Sequence, residues 1–248
     1  MLADASQRAC FSRMLILLLN IRHGGGRRAQ ALLDWIISKS PDVVVLTEWR
    51  DNAAGELLLF GLRATGFNTA TAVLSGPRCN GIVLGTTDKL KTRRITPLGS
   101  KKGELLLAEM TPSWKVLAAY FPLGKAKKPF FGACIAEARS ERAPLLVIGD
   151  LNTGNNNADV ERNGAQFSCA ECFDALQVDA PLFDLWRIEH GIRQEWSWRS
   201  TKNGFRIDHA FANAAFLDRF APINCYYDHA PRELGLTDHS ALLVNCSR

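Results

Sequence analysis

Short runs of consecutive apolar residues, each closed by a polar one, recur along this chain. They alternate with stretches in which apolar residues return every three or four positions. Leu15 to Asn20 is a run of the first kind, fit for a strand buried on both faces. Gly24 to Gly26 breaks it, and Arg27 to Ser38 then carries Ala31, Leu32, Trp35 and Ile36 at helical spacing. Pro41 ends that helix. Asp42 to Trp49 predicts a second buried strand and Asn52 to Arg63 a second helix. Thr69 to Val73, Gly81 to Gly85, Glu104 to Met110 and Trp114 to Phe121 are rich in strand formers. A helix is expected over Pro129 to Arg139, a buried strand over Pro144 to Ile148 and a helix near Ser168 to Leu176. Further strands are expected at Glu195 to Arg199, Arg206 to Phe211, Ile223 to Tyr227 and Ala241 to Asn245.

Many strands with few, dispersed helices predict an α/β fold, a four-layer α/β sandwich of two packed mixed β-sheets flanked by helices. No repeat, low-complexity tract or Pro/Gly/Ser linker interrupts the pattern, so residues 14–248 read as one domain behind an N-terminal extension of residues 1–13.

Composition narrows this only a little. At 248 residues, 47% hydrophobic and 22% charged, the chain can bury a sizeable core. Its net charge of +5 tilts expectation toward a polyanionic partner. The charge is clustered, at Lys89, Lys91, Arg93, Arg94, Lys101 and Lys102 and again at Lys125, Lys127 and Lys128. Such clusters are either solvated loops or phosphate contacts. The seven cysteines are odd in number and scattered, which argues against a disulfide framework. The pair Cys169 and Cys172 lacks the two further ligands that zinc needs, and reads as core cysteines on a helix face. Met14 to Leu19 is too short to span a membrane and is followed by no small-residue cleavage site. A cytoplasmic monomer without a membrane partner is expected.

The chemistry is suggested by where polar residues fall. Asn20, Glu48, Asp150 and Asn152 each stand at or just beyond the end of an apolar run. An acid placed directly after Val43-Val44-Val45-Leu46-Thr47 is costly unless something positive compensates it, and a divalent cation is the simplest compensator. Oxygen ligands from Asp, Glu and Asn suit magnesium or manganese better than zinc. Taken singly, each feature has a plainer reading. Glu48 could be an ion-pair partner, Gly149-Asp150-Leu151-Asn152 an ordinary turn, and Asp238-His239 a helix cap beside a core histidine. Their conjunction, in order and each on the edge of a buried run, points to one site.

From Leu15 onward these residues resemble the endonuclease/exonuclease/phosphatase superfamily, most closely its exonuclease III and abasic-site endonuclease branch. Leu18-Leu19-Asn20 is similar to the first family motif, and Pro41 to Glu48 to the second, with Thr47 in place of the usual Gln. Ala119-Tyr120-Phe121-Pro122 resembles the Tyr-x-Pro motif and Ile148 to Asn152 the fourth. Phe183 to Arg187 is similar to a segment preceding the late strands in these nucleases, and Arg206-Ile207-Asp208-His209 and Thr237-Asp238-His239-Ser240 resemble the closing motifs. Leu123 stands where many DNA-cleaving members carry an Asn, and the Gly24-Gly25-Gly26 turn is unlike their first loop.

The resemblance implies a metal-dependent phosphodiesterase that hydrolyses nucleic acid, a DNA nuclease of exonuclease or abasic-site endonuclease type, by in-line water attack. Glu48, helped by Asn20 and Asp238, would hold Mg2+ or Mn2+. Asp150 would be the general base, and Asn152 would orient the water. His239, kept cationic by Asp208, and Tyr120 would stabilise the phosphate's developing charge. Trp198, Phe205 and Ile207 fall near the apolar pocket for a base-free sugar, and are alternatively core residues of two adjacent strands. His23, beside the glycine turn, is a candidate phosphate contact. His190, His209 and His229 read as surface or core residues. The alternative activity is a phosphatase or phosphodiesterase acting on a small or lipid phosphate ester.

Overall fold

The computed structural model describes residues 13–74, 76–100 and 102–248. Of the expected extension only Arg13 falls among them. It opens the first strand, so that strand begins one residue before the domain boundary read from hydropathy. Cys10 and Lys101 lie outside the described residues.

Two β-α-β crossovers organise the chain. In the first, β1 (Arg13–Asn20) leads through α1 (Ala29–Ser38) to the parallel β2 (Val43–Trp49). Next come α2 (Ala53–Ala64), β3 (Asn68–Ala72), β4 (Gly81–Thr86), β5 (Lys91–Ile95) and β6 (Glu104–Met110). In the second crossover, β7 (Trp114–Tyr120) leads through α3 (Lys128–Ser140) to the parallel β8 (Leu145–Asp150). The remainder comprises α4 (Ala170–Val178), β9 (Phe183–Asp184), α5 (Leu185–His190), β10 (Trp198–Arg199), β11 (Gly204–Phe205) and β12 (Asp208–Ala212). It closes with α6 (Ala214–Phe220), β13 (Ile223–Asp228), α7 (Ala230–Glu233) and β14 (Ala241–Ser247).

Two mixed six-stranded sheets result, ordered β13-β14-β1-β2-β4-β3 and β5-β6-β7-β8-β12-β9. Their facing sides share one core, in which Ile16, Leu18, Val43, Val45 and Ile82 meet Leu106, Val116, Ala118, Ile148 and Ala210. The outer face of the first sheet is covered by Leu32, Leu33, Ile36, Leu58 and Leu62 of α1 and α2. Phe130, Phe131, Cys134 and Phe173 of α3 and α4 cover that of the second. This is the expected four-layer arrangement. It explains why the central strands read as unbroken apolar runs, since both their faces are buried.

Some local expectations need correction. Of the Lys89 to Lys102 cluster, Lys91, Arg93 and Arg94 do not lie in a loop. Lys91 to Ile95 form the edge strand β5, whose charges sit where an unpaired edge is best protected from association, with Arg93 bonded to Glu137 and Arg94 to Glu104. Only Trp198 and Arg199 of the strand expected over Glu195 to Arg199 pair with another strand. The short helices α5 and α6 begin at side-chain caps, Asp184 accepting from Arg187 N and Asn213 from Phe216 N. No helix among the described residues is long and apolar enough to cross a membrane.

Candidate active site

Strand register builds the centre of the site. Asp150 lies opposite Tyr120 in the parallel β7–β8 pair and opposite Asp208 in the antiparallel β8–β12 pair, so three polar residues form one row across three strands. Gly149 makes this close packing possible, because a Cβ there would lie 1.9 Å from the Ala119 carbonyl oxygen. Beyond the row the chain turns at Asn152, whose φ is 49°. Asn152 donates its amide N–H to Asp150 Oδ1 (2.9 Å) and its side-chain Nδ2 to Phe121 O (2.8 Å). Asn20 Nδ2 donates to Asp150 Oδ2 (2.9 Å), tying the end of β1 to the end of β8 across the two sheets.

Glu48 is presented by a distortion. The β2–β4 register shifts between Thr47 and Trp49, and Glu48 takes a φ of 59°. A bulge of this kind re-aims a side chain, and left-handed backbone costs a non-glycine residue roughly 1–2 kcal/mol. The turn from Arg22 to Gly26 supports it, with every φ in the turn positive, from 52° to 76°. That requirement accounts for three consecutive glycines. From this turn Gly24 N donates to Glu48 O (2.8 Å) and His23 N to Glu48 Oε2 (2.7 Å).

His239 Nδ1 lies 2.8 Å from Asp208 Oδ2, and among the described residues Nε2 has no hydrogen-bond partner. Asp208 Oδ1 is buried without a hydrogen bond, while donor atoms of Asp150, Asp208 and His239 lie within 4.8 Å of one another. Burial, and then the charge of Asp208, raise Asp150 far above the usual carboxylate range, to about 7. Burial alone would depress His239, but the Asp208 carboxylate outweighs it and raises the imidazole to about 9. Tyr120 is shifted upward by burial and by Glu48, so its phenol stays neutral and able to donate.

A cavity of about 450 Å³ opens onto this centre. It brings together Glu48, Asp150, Asn152, Asp238 and His239 with Trp198, Phe205, Ile207 and His23. Asn20 and Asp208 are buried directly behind its wall, and Tyr120 belongs to an adjoining lobe. Trp198 does double service: Nε1 donates to Asp238 Oδ2 (3.1 Å), and its ring lies 5.8 Å from that of Phe205. Ser197 Oγ fixes this wall by accepting from Ile207 N (3.0 Å) and Asp208 N (3.1 Å). His209 is a core residue bonded to Thr153 O, depressed by burial and by Arg206 to about 4.

Several participants were not singled out in the sequence. Lys127, one of three lysines in a basic cluster, is only 1% exposed. Its amine donates to Asn152 O, and burial lowers it to about 8. Arg22 Nε stands 3.8 Å from Asp238 Oδ2. Phe167, from the loop before α4, adds a third ring 5.4 Å from Phe205. Spacing offers no signal for Phe167, since it depends on how a long loop folds back.

Solved structures share this fold. The structure is similar to an AP endonuclease from Archaeoglobus fulgidus, at 18% identity and a TM-score of 0.77 over 93% of this chain and 98% of that one. It is also similar to a 3'-5' exonuclease (NExo) from Neisseria meningitidis, at 20% identity and a TM-score of 0.79 over 95% and 100%. A 3' phosphatase NExo from Neisseria bound to product DNA hairpin gives 20% identity and a TM-score of 0.79 over 93% and 98%. Among curated proteins no sequence relative matches. The family model for the Endonuclease/Exonuclease/phosphatase family matches residues 17–239, and this chain belongs to that family.

Proposed function

We propose that this chain is a metal-dependent phosphodiesterase that hydrolyses nucleic acid, with DNA as its substrate, by in-line attack of water on phosphorus. The observation that carries the reading is the row of Tyr120, Asp150 and Asp208, gathered with Glu48, Asp238 and His239 around one cavity and its adjoining lobe. The donor set fits a hard divalent cation, magnesium or manganese. Glu48 and Asp238 present carboxylate oxygens to the 450 Å³ cavity, and among the described residues no cysteine lines it. The raised proton affinity of Asp150 is a second sign of a site short of positive charge. Glu48 and Asp238, with the Asn20 amide behind them, would hold the ion. When bound, it supplies charge against a non-bridging phosphate oxygen and the leaving alkoxide.

The chain's own groups do the rest. Asp150 takes the proton of the attacking water, and a base poised near neutrality suits that task. Asn152, whose Nδ2 is committed to Phe121 O, keeps its side-chain oxygen to orient that water. His239, cationic through Asp208, and the neutral Tyr120 phenol donate to the phosphate oxygens as charge builds. Lys127 holds the Asn152 turn from behind and adds a positive charge beside Asp150. Trp198, Phe205 and Ile207 form an apolar wall for the sugar, and His23 reaches the rim. The names of the structural relatives, an AP endonuclease and a 3'-5' exonuclease, support a role in DNA repair.

Purified protein with magnesium is expected to cleave plasmid or abasic-site oligonucleotide in preference to RNA and inositol phosphates, and Asp150→Ala is expected to abolish the cleavage. Preferential release of phosphate from inositol phosphates would place the substrate elsewhere. Cleavage indifferent to Asp150→Ala would refute the catalytic assignment.

A further inference from the structure

The cavity at Asp150 has a neighbour of different character. A second lobe of about 570 Å³ shares His23, Glu48 and Leu123 with it and is otherwise lined by Arg50, Arg78, Asn80, Lys102, Tyr120 and a short apolar floor. Leu123, 76% exposed, stands between the two lobes. The first lobe carries three aromatic rings, and the second carries three cations.

Those cations are set apart by what they lack. On the neighbouring strands positive charge is consumed by carboxylates: Arg93 by Glu137, Arg94 by Glu104, Lys115 by Glu141. Among the described residues no carboxylate pairs with Arg50, Arg78 or Lys102. Three cations, none of them paired with a carboxylate, converge on a concavity whose lining among the described residues holds one carboxylate, Glu48, and the excess of positive charge favours an anion.

The lobe is also built, not left over. Arg50 is fixed by Nε donating to Asn80 Oδ1 (2.7 Å) and Nη2 meeting His23 Nδ1 (3.0 Å). Asn80 Nδ2 in turn donates to the Tyr120 hydroxyl (3.1 Å), so the cationic lobe is wired to the row of residues beside the reacting phosphate. Gly24, at a φ of 76°, lets the turn close on Arg50, since a Cβ there would lie 3.0 Å from Arg50 Cβ. Gly103, at a φ of 86°, lies so close to Tyr120 and Pro122 that a Cβ would meet Pro122 Cδ at 2.6 Å. That contact sets Lys102 at the edge of the lobe.

We propose that this lobe is a second phosphate subsite, which takes the phosphodiester next to the one being cleaved, on the side away from the aromatic wall. Its apolar floor of Leu74, Pro122 and Ala126 gives the intervening sugar a surface to pack on. The inference rests on the phosphodiesterase reading and narrows it, because the preferred substrate is then a strand with a neighbouring phosphate, not an isolated ester.

The test compares a thymidine dinucleotide holding a single phosphodiester with the same dinucleotide carrying an added terminal phosphate at its 5' or its 3' end. The added phosphate at one end is expected to raise kcat/KM about tenfold or more, the range that a charge-assisted contact supplies. In Arg78→Gln/Lys102→Gln, both of whose altered side chains are exposed and so leave folding intact, that ratio is expected to fall to within about twofold of one. A wild-type ratio near one at both ends, or a ratio kept by the double variant, overturns the subsite. A second arm uses Asp150→Asn protein and a labelled oligothymidylate of eight nucleotides. The slope of log affinity against log salt is expected to shrink by roughly one when the two changes are added, and an unchanged slope contradicts the proposal. If the wild type hydrolyses no phosphodiester, the functional reading fails, and the binding arm still decides the subsite.

Discussion

Asp150→Asn is expected to abolish hydrolysis and at the same time to make the protein more stable. The activity loss should be at least about 10³-fold, since the variant keeps the shape of the site and removes the proposed base. The gain in stability follows from linkage. Burial, and then Asp208, raise Asp150 in the folded state to about 7, against a reference carboxyl near 3.8. Folding therefore favours the protonated form. The contribution of Asp150 to stability is fully present below pH 3.8 and is lost as pH rises through about 7. At pH 8 the ionised group costs on the order of 2–4 kcal/mol, which Asn does not incur. In metal-free buffer at pH 8, Tm of Asp150→Asn should exceed the wild type by roughly 5–10 °C, with the gap closing toward pH 4. An equal or lower Tm at pH 8 would show that the carboxylate is not under the strain described. Natural sites often retain such a cost where function needs it.

The largest expected loss of stability is at Arg206. Its buried guanidinium spans two buried carboxylates, with Nε 2.6 Å from Asp159 Oδ1 and Nη2 2.5 Å from Asp184 Oδ2. Asp184 also caps α5, and Arg206 N donates to Asp159 O (3.0 Å), so the cluster joins the loop before α4 to the segment that carries Ile207 and Asp208. Burial would raise Asp159, but the charge of Arg206 outweighs it and holds the group at about 2. Arg206→Met leaves two buried carboxylates without their shared partner, which should cost about 3–5 kcal/mol and lower Tm by roughly 10 °C or more. The wild type should also lose stability as pH falls from about 3.8 toward 2, a component reduced in the variant, where Asp159 keeps only Arg187 as a cationic hydrogen-bond partner. Thermal melts across pH read both effects. A drop of less than about 3 °C would mean the cluster is better solvated than its burial implies.

Arg206 also shows a limit of sequence alone. In the sequence it is only the first residue of a closing motif, because its importance depends on Asp159 and Asp184, which lie 47 and 22 residues away along the chain. By contrast, Asn20, Glu48 and Asp150 were accessible directly, since an apolar run ending in a polar residue marks a strand tip, and strand tips share a cleft. The two-sheet architecture followed from the same runs. What the runs do not carry is register, so the row of Tyr120, Asp150 and Asp208 emerges only when β7, β8 and β12 pair. Charge clusters misled in opposite directions. Arg93 and Arg94 turned out to be paired on an edge strand, while Lys127 is buried behind Asn152. Nothing in a run of lysines says which one turns inward.

The glycine turn is the clearest case of a departure from family pattern with a local physical cause. Five residues from Arg22 to Gly26 have positive φ, and this unusual turn grips both the carbonyl and the carboxylate of Glu48. The strain in Arg22, His23 and Glu48 is thus concentrated at the group assigned to the cation.

Titration of activity with Mg2+ after chelation, in wild type and in Glu48→Gln, tests most directly whether Glu48 holds a divalent cation that hydrolysis requires. No hydrolysis of a DNA phosphodiester is expected in the chelator, with full recovery on addition of Mg2+ or Mn2+. The half-activating concentration should be at least about tenfold higher in Glu48→Gln, in line with the loss of one charged ligand. Hydrolysis that persists in the chelator, or an identical metal requirement in Glu48→Gln, would contradict that role of Glu48.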